Sequence, residues 1–410
     1  MKQSLVCLSA LTVAVACSSN GPSSGGGAGA AGAAAVAGAG ASAVGGAGGG
    51  GGAPSGSAGS VSAMAGSSGS VAIGGGGAAG ANAMAGAGGA VAGSGGGGTA
   101  GSAGSAGAPA STAFKCPTGP FDVLDIGSGK AARVPGAPPV DDFNKSHGNV
   151  EGPVWIGDSL YFSEMTDGDI PPARILKLAP GGTVSVAVMD SGSNGLAVDA
   201  NGRLFAAVHK DGSVSQVALP SGPLTPVVSK YNGTRFTSPN DLAIRSDGTI
   251  YFSDPKYQNS ANPQGAERLY WVTPGPTRTV TAVTGAPGTP NGVTLSADEK
   301  TLYVSGSALK KFTVNADGSL TNPTDVPGGS GGDGMVLDCA ANLYVATGNN
   351  VQIIMAAGGA SKAITVDGGA SITNVAFGGM DHKTLYVTAQ GNQGQRGVFS
   401  IALNVPGFPY

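Results

Sequence analysis

Glu151, Asp333, Asn240 and Asn291 are the residues of this chain best suited to chemistry, because each opens a copy of one short recurring motif and all four carry side-chain oxygen. Hard oxygen donors without thiol or imidazole select Ca²⁺ first, Mg²⁺ or Mn²⁺ second and Zn²⁺ last. Two carboxylates brought to one place among amides repel each other and are costly to desolvate unless a cation sits between them. One divalent cation held with open positions polarises an ester carbonyl and orients a water, while a neighbouring carboxylate takes the proton. A serine nucleophile is not required, and no G-x-S-x-G elbow precedes a helix anywhere in the sequence.

The elements that must bring these residues together are six degenerate copies of one hairpin. The copies open at Glu151 (EGPVWIGDSLYFSE), Asn194, Asn240 (NDLAIRSDGTIYFSD), Asn291 (NGVTLSADEKTLYV), Asp333 and Asn374, at spacings of 43, 46, 51, 42 and 41 residues. Each runs from a polar side chain through a short apolar strand, turns on Asp, Asn or Gly, and returns as a β-branched or aromatic strand. A period of this size, with about four strands' worth of chain per unit, marks a β-propeller. The expected fold is therefore all-β, a six-bladed β-propeller. First strands line the central channel of a propeller, so the six opening residues should converge at one mouth. Taken singly, Asn194 reads as a turn former, since Asn bonds its local backbone readily. Closure of the ring is expected from residues 121–126 (FDVLDI) pairing with the last strand, GVFSIALNV.

The propeller occupies residues 113–410. All 24 acidic residues lie there, with every Lys and Arg except Lys2, so the domain is mildly acidic and offers no basic stripe for nucleic acid. Ahead of it, residues 17–112 form a Gly/Ala/Ser-rich stretch. From Ser18 to Thr112 it holds no charged and no aromatic residue, and such a stretch cannot offset its ordering entropy by apolar burial. It reads as a disordered spacer. Residues 1–16 read as a signal peptide, one positive charge followed by an apolar run too short to span a membrane comfortably. Ala14-Val15-Ala16 fits an ordinary cleavage site, and with Cys17 it also resembles a bacterial lipobox. A lipid on Cys17, the only membrane contact expected, would make this an outer-membrane lipoprotein; a periplasmic or secreted form is the alternative. Cys116 and Cys339 either pair or remain two buried thiols.

Glu151-Gly152-Pro153-Val154-Trp155, Ser238-Pro239-Asn240-Asp241-Leu242, Pro290-Asn291-Gly292-Val293, Asp333-Gly334-Met335 and residues 373–379 (TNVAFGG) together resemble the SMP-30/gluconolactonase/luciferin-regenerating-enzyme-like family. The resemblance covers the chain from about residue 120. It implies a single catalytic divalent cation at the channel mouth and a lactonase, with Glu151, Asn291 and Asp333 as metal ligands and Asn240 beside metal or substrate. It also implies Asp333 as general base. A monomer acting on a small lactone or ester is expected.

Departures from the family pattern bear on the substrate. One branch carries an Arg just ahead of the Asn-Asp pair to grip a sugar acid, whereas Thr237-Ser238-Pro239 stand here. Of an arginine-rich stretch in another branch only His209 survives, in Ala207-Val208-His209-Lys210-Asp211. His209 and Asn194 remain candidate substrate contacts, although a surface position at a hairpin tip is the expectation for His209. His147 is placed near the entrance and His382 in a solvated turn. Two other classes stay open, a non-catalytic NHL-type propeller presenting loops to a partner and a strictosidine-synthase-like propeller. The first would not need two facing carboxylates at the axis.

Overall fold

The computed structural model describes residues 115–408. The signal peptide (1–16), the spacer (17–112) and Cys17 lie outside the described residues.

The described chain is almost wholly strand and turn, in keeping with alternating apolar runs cut by Gly, Pro, Asn and Asp. After β1 (Lys130–Arg133), the strands fall into antiparallel runs. The first is β2 (His147–Ile156), β3 (Ser159–Thr166), β4 (Ala173–Leu178) and β5 (Val184–Val188). The second is β6 (Ser193–Val198), β7 (Leu204–Val208), β8 (Ser213–Val217) and β9 (Leu224–Val228). A two-stranded ribbon, β10 (Lys230–Tyr231) and β11 (Thr234–Arg235), leads into β12 (Leu242–Ile244), β13 (Ile250–Asp254), β14 (Arg268–Val272) and β15 (Val280–Ala282). Then come β16 (Val293–Leu295), β17 (Thr301–Val304), β18 (Lys310–Val314) and β19 (Leu320–Asp325), followed by β20 (Met335–Leu337), β21 (Leu343–Thr347), β22 (Asn350–Ile354) and β23 (Lys362–Val366). The last run is β24 (Ser371–Gly378), β25 (Thr384–Asn392) and β26 (Gly397–Ala402), completed by β1.

The six four-stranded units thus begin at the six repeated openings, and their first strands touch in a closed cycle, β2 to β6, β12, β16, β20, β24 and back to β2. Short contacts of β1 with β23 and of β2 with β25 join the fifth, sixth and first units into one continuous sheet. The apolar core lies between neighbouring units, where strands buried on both faces stack. Phe236, Phe252 and Tyr270, for example, pack with ring centroids 4.9 to 5.2 Å apart.

The closing strand is not the one expected from sequence. Residues 121–126 form no strand; Lys130–Arg133 pairs with β26 instead, Ala132 opposite Ser400 and Arg133 opposite Phe399. The FDVLDI segment is held alongside by single bonds, Asn404 accepting from the Asp125 N–H at 2.8 Å and donating to the Val123 carbonyl at 2.9 Å. A Cys116–Cys339 disulfide ties this N-terminal segment to the turn after β20. The C-terminal segment reaches the same unit, where Asp338 bridges Gly407 and the Phe408 N–H donates to the Leu337 carbonyl.

Candidate functional site

The opening residues are placed by irregular strand pairing. In the first, second and sixth units the register slips where Glu151, Asn194 and Asn374 sit, between Glu151 and Val154, Ser193 and Leu196, and Ile372 and Asn374. In the third, fourth and fifth units the same geometry appears just ahead of the first strand. The N–H groups of Asn240, Asn291 and Asp333 donate to Ser253, Ser305 and Ala346, at 2.9, 2.9 and 2.8 Å. Each of those three residues donates its own N–H to the residue after the opening one. Two residues thus oppose one, the defining feature of a bulge, which re-aims a side chain out of the pleat.

Side-chain hydroxyls, two at the ends of second strands and one in the first strand β24, tie three of the units to the next. Ser253 Oγ donates to the Asn291 carbonyl at 2.5 Å, Ser305 Oγ to the Asp333 carbonyl at 2.6 Å and Thr373 Oγ1 to the Val150 carbonyl at 2.5 Å. Glycine follows four of the six openings because the next unit's backbone lies there. A Cβ on Gly152 would stand 2.6 Å from the Asn194 carbonyl oxygen, and one on Gly195 2.6 Å from that of Asn240.

The expected ligands come together at this mouth. Glu151, Asn240 and Asn291 are buried, and the Asp333 carboxyl is enclosed with them. The Asn291 side chain neighbours the Asp333 carboxyl and Asn374 neighbours Glu151, each favouring the charged form of its acid. Burial, then the charges of Asp333 and Asp241, hold the Glu151 carboxyl well above its ordinary range. Burial, then Asp241, pushes Asp333 up to about 8. Asp241, which sequence reasoning passed over, occupies the position that is glycine in four other units. Its Oδ2 accepts the Val293 N–H at 2.9 Å, and burial raises it to about 7. Among the described residues no guanidinium or ammonium offsets Asp241 or Asp333. Its clue in the sequence was an acid where the repeat otherwise puts glycine. Below the mouth the channel narrows to a cavity of about 30 Å³ lined by Gly152, Asp241, Val293, Met335 and Asn374, roomy enough for a water or two.

Two observations fit a hard cation at this place. Among the described residues Asn291 Oδ1 is buried and makes no hydrogen bond, leaving an acceptor free beside two carboxyls. The acids are also uncompensated by any basic side chain. Among the described residues no three acidic, histidine or cysteine side chains cluster as a metal site by themselves, so the donor set is mixed carboxylate and amide.

Other expectations are corrected. Asn194 lies inside β6 at the register slip, buried, and among the described residues neither end of its amide finds a partner, so it holds no turn. His209 is not at the surface. It is fully buried, its Nε2 is 2.7 Å from the Pro171 carbonyl, and burial lowers its pKa. That contact, 38 residues away in sequence, could not be seen in the local Val-His-Lys turn pattern. His147 pairs with Asp167 at 2.5 Å, and His382 is half-buried rather than solvated.

In place of the sugar-gripping arginine, Thr237 and Ser238 give their N–H groups to Asp254, at 2.9 and 2.6 Å. This carboxylate, buried at the end of β13 and raised to about 6 by that burial, fixes the approach to Asn240. The loop after it crosses toward the first unit. Ile170 donates its N–H to the Gln258 carbonyl at 2.8 Å, and Ser260 donates to Asp169 at 2.7 Å, forming a rim.

Residues 150–391 match the family model described as SMP-30/Gluconolactonase/LRE-like region. A gluconolactonase of Zymomonas mobilis is 29% identical over 283 residues, covering 59% of this chain and 76% of that protein. Lactonase drp35 of Staphylococcus aureus is 34% identical over 116 residues, 26% of this chain and 35% of its own length. Among solved structures, a gluconolactonase of Xanthomonas campestris superposes with a TM-score of 0.53 at 24% identity, covering 71% of this chain and 99% of that one. Geometry and sequence agree that the chain belongs to the SMP-30/gluconolactonase/LRE-like family.

Proposed function

We propose that this protein is a calcium-dependent lactonase built on a six-bladed propeller, with one divalent cation held by Glu151, Asn291 and Asp333. The observation that carries the reading is the buried Asn291 Oδ1, which makes no hydrogen bond and stands beside two carboxyls that no basic side chain offsets. Bound Ca²⁺ would supply Lewis-acid polarisation of the ester carbonyl. The chain's own residues supply the rest. Asp333 takes the proton of the attacking water. Asn240, held through Asp254 and Ser253, offers its amide N–H to the oxyanion that develops on the carbonyl. Asn291 fixes the orientation of the Asp333 carboxyl, and Glu151 contributes negative charge from the opposite side of the ring. Asn194 lies where its amide can meet substrate, whereas His209, sealed under Pro171, shapes the rim rather than touching substrate.

The apolar leader and Cys17 support export, and with lipidation an outer-membrane tether; the Cys116–Cys339 disulfide is consistent with an oxidising compartment. Calorimetric titration of chelated protein with Ca²⁺, joined to a lactone panel with and without chelator, tests the proposal. Stoichiometric binding with chelator-sensitive hydrolysis is the expected result. Hydrolysis that is indifferent to exhaustive chelation would remove the metal from the mechanism.

A further inference from the structure

We infer that Tyr257 is the specificity-determining wall of this mouth and that it selects neutral lactones bearing an aryl or alkyl group over polyhydroxylated sugar lactones; this rests on the lactonase reading above. Tyr257 is half exposed, on the loop between β13 and β14. The next residue anchors that loop beside the Asn240 approach, Gln258 receiving the Ser238 hydroxyl at 2.9 Å and donating its N–H to Ser238 Oγ at 3.1 Å. Asn259 adds a bond to the Thr237 carbonyl at 2.9 Å. At its far end the Tyr257 hydroxyl stands 3.5 Å from the Thr289 carbonyl, two residues ahead of Asn291. The ring therefore spans from the Asn240 segment to the Asn291 segment, and the charge of Asp333 is felt by its phenol.

What the mouth offers beyond its acids follows from these neighbours. The facing rim contributes half-exposed Ile170, whose N–H bonds the Gln258 carbonyl, while Pro239 and Pro290 are buried beneath the segments that flank the ring. The family's arginine position holds Thr237-Ser238-Pro239, whose N–H groups are already taken up by Asp254. A polyhydroxylated ring needs many directional partners, and each one left unpaired on desolvation is costly. An aromatic side chain instead offers a large apolar face at little entropic cost.

The experiment compares 3,4-dihydrocoumarin, an alkyl-substituted δ-lactone and glucono-1,5-lactone in excess Ca²⁺, using the wild type, Tyr257→Phe and Tyr257→Ala. The wild type should prefer the first two. Tyr257→Ala should lose roughly 10- to 100-fold in kcat/KM on them, mostly through KM, with under about 3-fold change on gluconolactone. Tyr257→Phe should keep the wild-type preference. An equal loss on all three lactones, or a Tyr257→Phe loss as large as that of the alanine variant, would overturn the inference, the latter by making the hydroxyl the working group. A wild-type protein inert toward every lactone would instead overturn the parent reading and this one with it.

Discussion

The Asn291 side chain favours the charged form of the Asp333 carboxyl while its own Oδ1, among the described residues, makes no hydrogen bond, so one side chain both steadies an acid and presents an acceptor to the same space. An amide is needed for that double duty. Asn291→Asp would replace the amide by a further carboxylate facing Asp333, and chelated Asn291→Asp should unfold at lower temperature than chelated wild type, on the order of 5 °C lower, with excess Ca²⁺ narrowing the gap. Thermal scans with and without Ca²⁺ check this; equal midpoints in chelator would show that the carboxyls are not crowded.

The two acids should separate in kinetics. Glu151→Gln should chiefly weaken Ca²⁺ affinity and regain activity in excess metal. Asp333→Asn keeps an oxygen donor but cannot accept a proton, and should lose roughly 10²-fold or more in kcat at any Ca²⁺ concentration. Lactone hydrolysis across a calcium titration distinguishes them, and full activity of Asp333→Asn at saturating Ca²⁺ would leave that residue a ligand only.

The amides differ in another way. Asn240→Ala should cut turnover by on the order of 10²-fold while Ca²⁺ stays bound, as expected for loss of an oxyanion donor. Asn194→Ala removes no bond that the folded chain makes, so its stability should stay within about 0.5 kcal/mol of wild type and its effect should fall on KM. A drop in folding stability for Asn194→Ala, measured by denaturant unfolding, would restore the turn role that the sequence first implied.

The raised acids also set a pH dependence. An acid with a higher pKa folded than unfolded holds its proton in the native state between the two values, so its contribution to stability is greatest below the lower and is lost as pH rises toward the upper. Asp241 spans 3.8 to about 7 and Asp333 3.8 to about 8. Metal-free protein should therefore lose stability as pH climbs from about 4 to about 8, and Ca²⁺ should stabilise it far more at pH 8 than at pH 5. Calcium-induced Tm shifts that are the same at both pH values would refute this.

Close contact between units gives a structural test. A Cβ at Gly334 would overlap the Asn374 carboxamide, which itself neighbours Glu151. Gly334→Ala should cost about 1–3 kcal/mol in denaturant unfolding and weaken Ca²⁺ binding as well. Unchanged stability would mean that the ring yields more easily than its packing implies.

Much of this architecture was legible because the repeat writes the same instruction at each opening: a polar side chain, then glycine where the neighbouring unit approaches. Asp241 escaped notice for the same reason, since reading the repeat by similarity hides the units that depart from it, Asp241 after Asn240 and Val375 after Asn374. The Ser253 and Ser305 hydroxyls were visible as serines ending second strands, yet their acceptors belong to the following unit and no local pattern names them. The closing strand was misplaced because FDVLDI alternates like a strand whereas Lys130–Arg133 has little strand character of its own; pairing with β23 and β26 makes it one.

The Cys116–Cys339 link has a mechanical consequence. Tension applied to the chain ahead of Cys116 enters the folded domain at Cys339, a covalent rivet in the fifth unit, before it reaches β1. Without the rivet the same pull would arrive at β1, which meets β23 and β26 in only two paired positions each and would peel like a zip from its end. The disulfide therefore moves the point of load from the short pairings of β1 to a covalent bond within the fifth unit, so a pull on a tethered form would reach the ring through a link that does not peel.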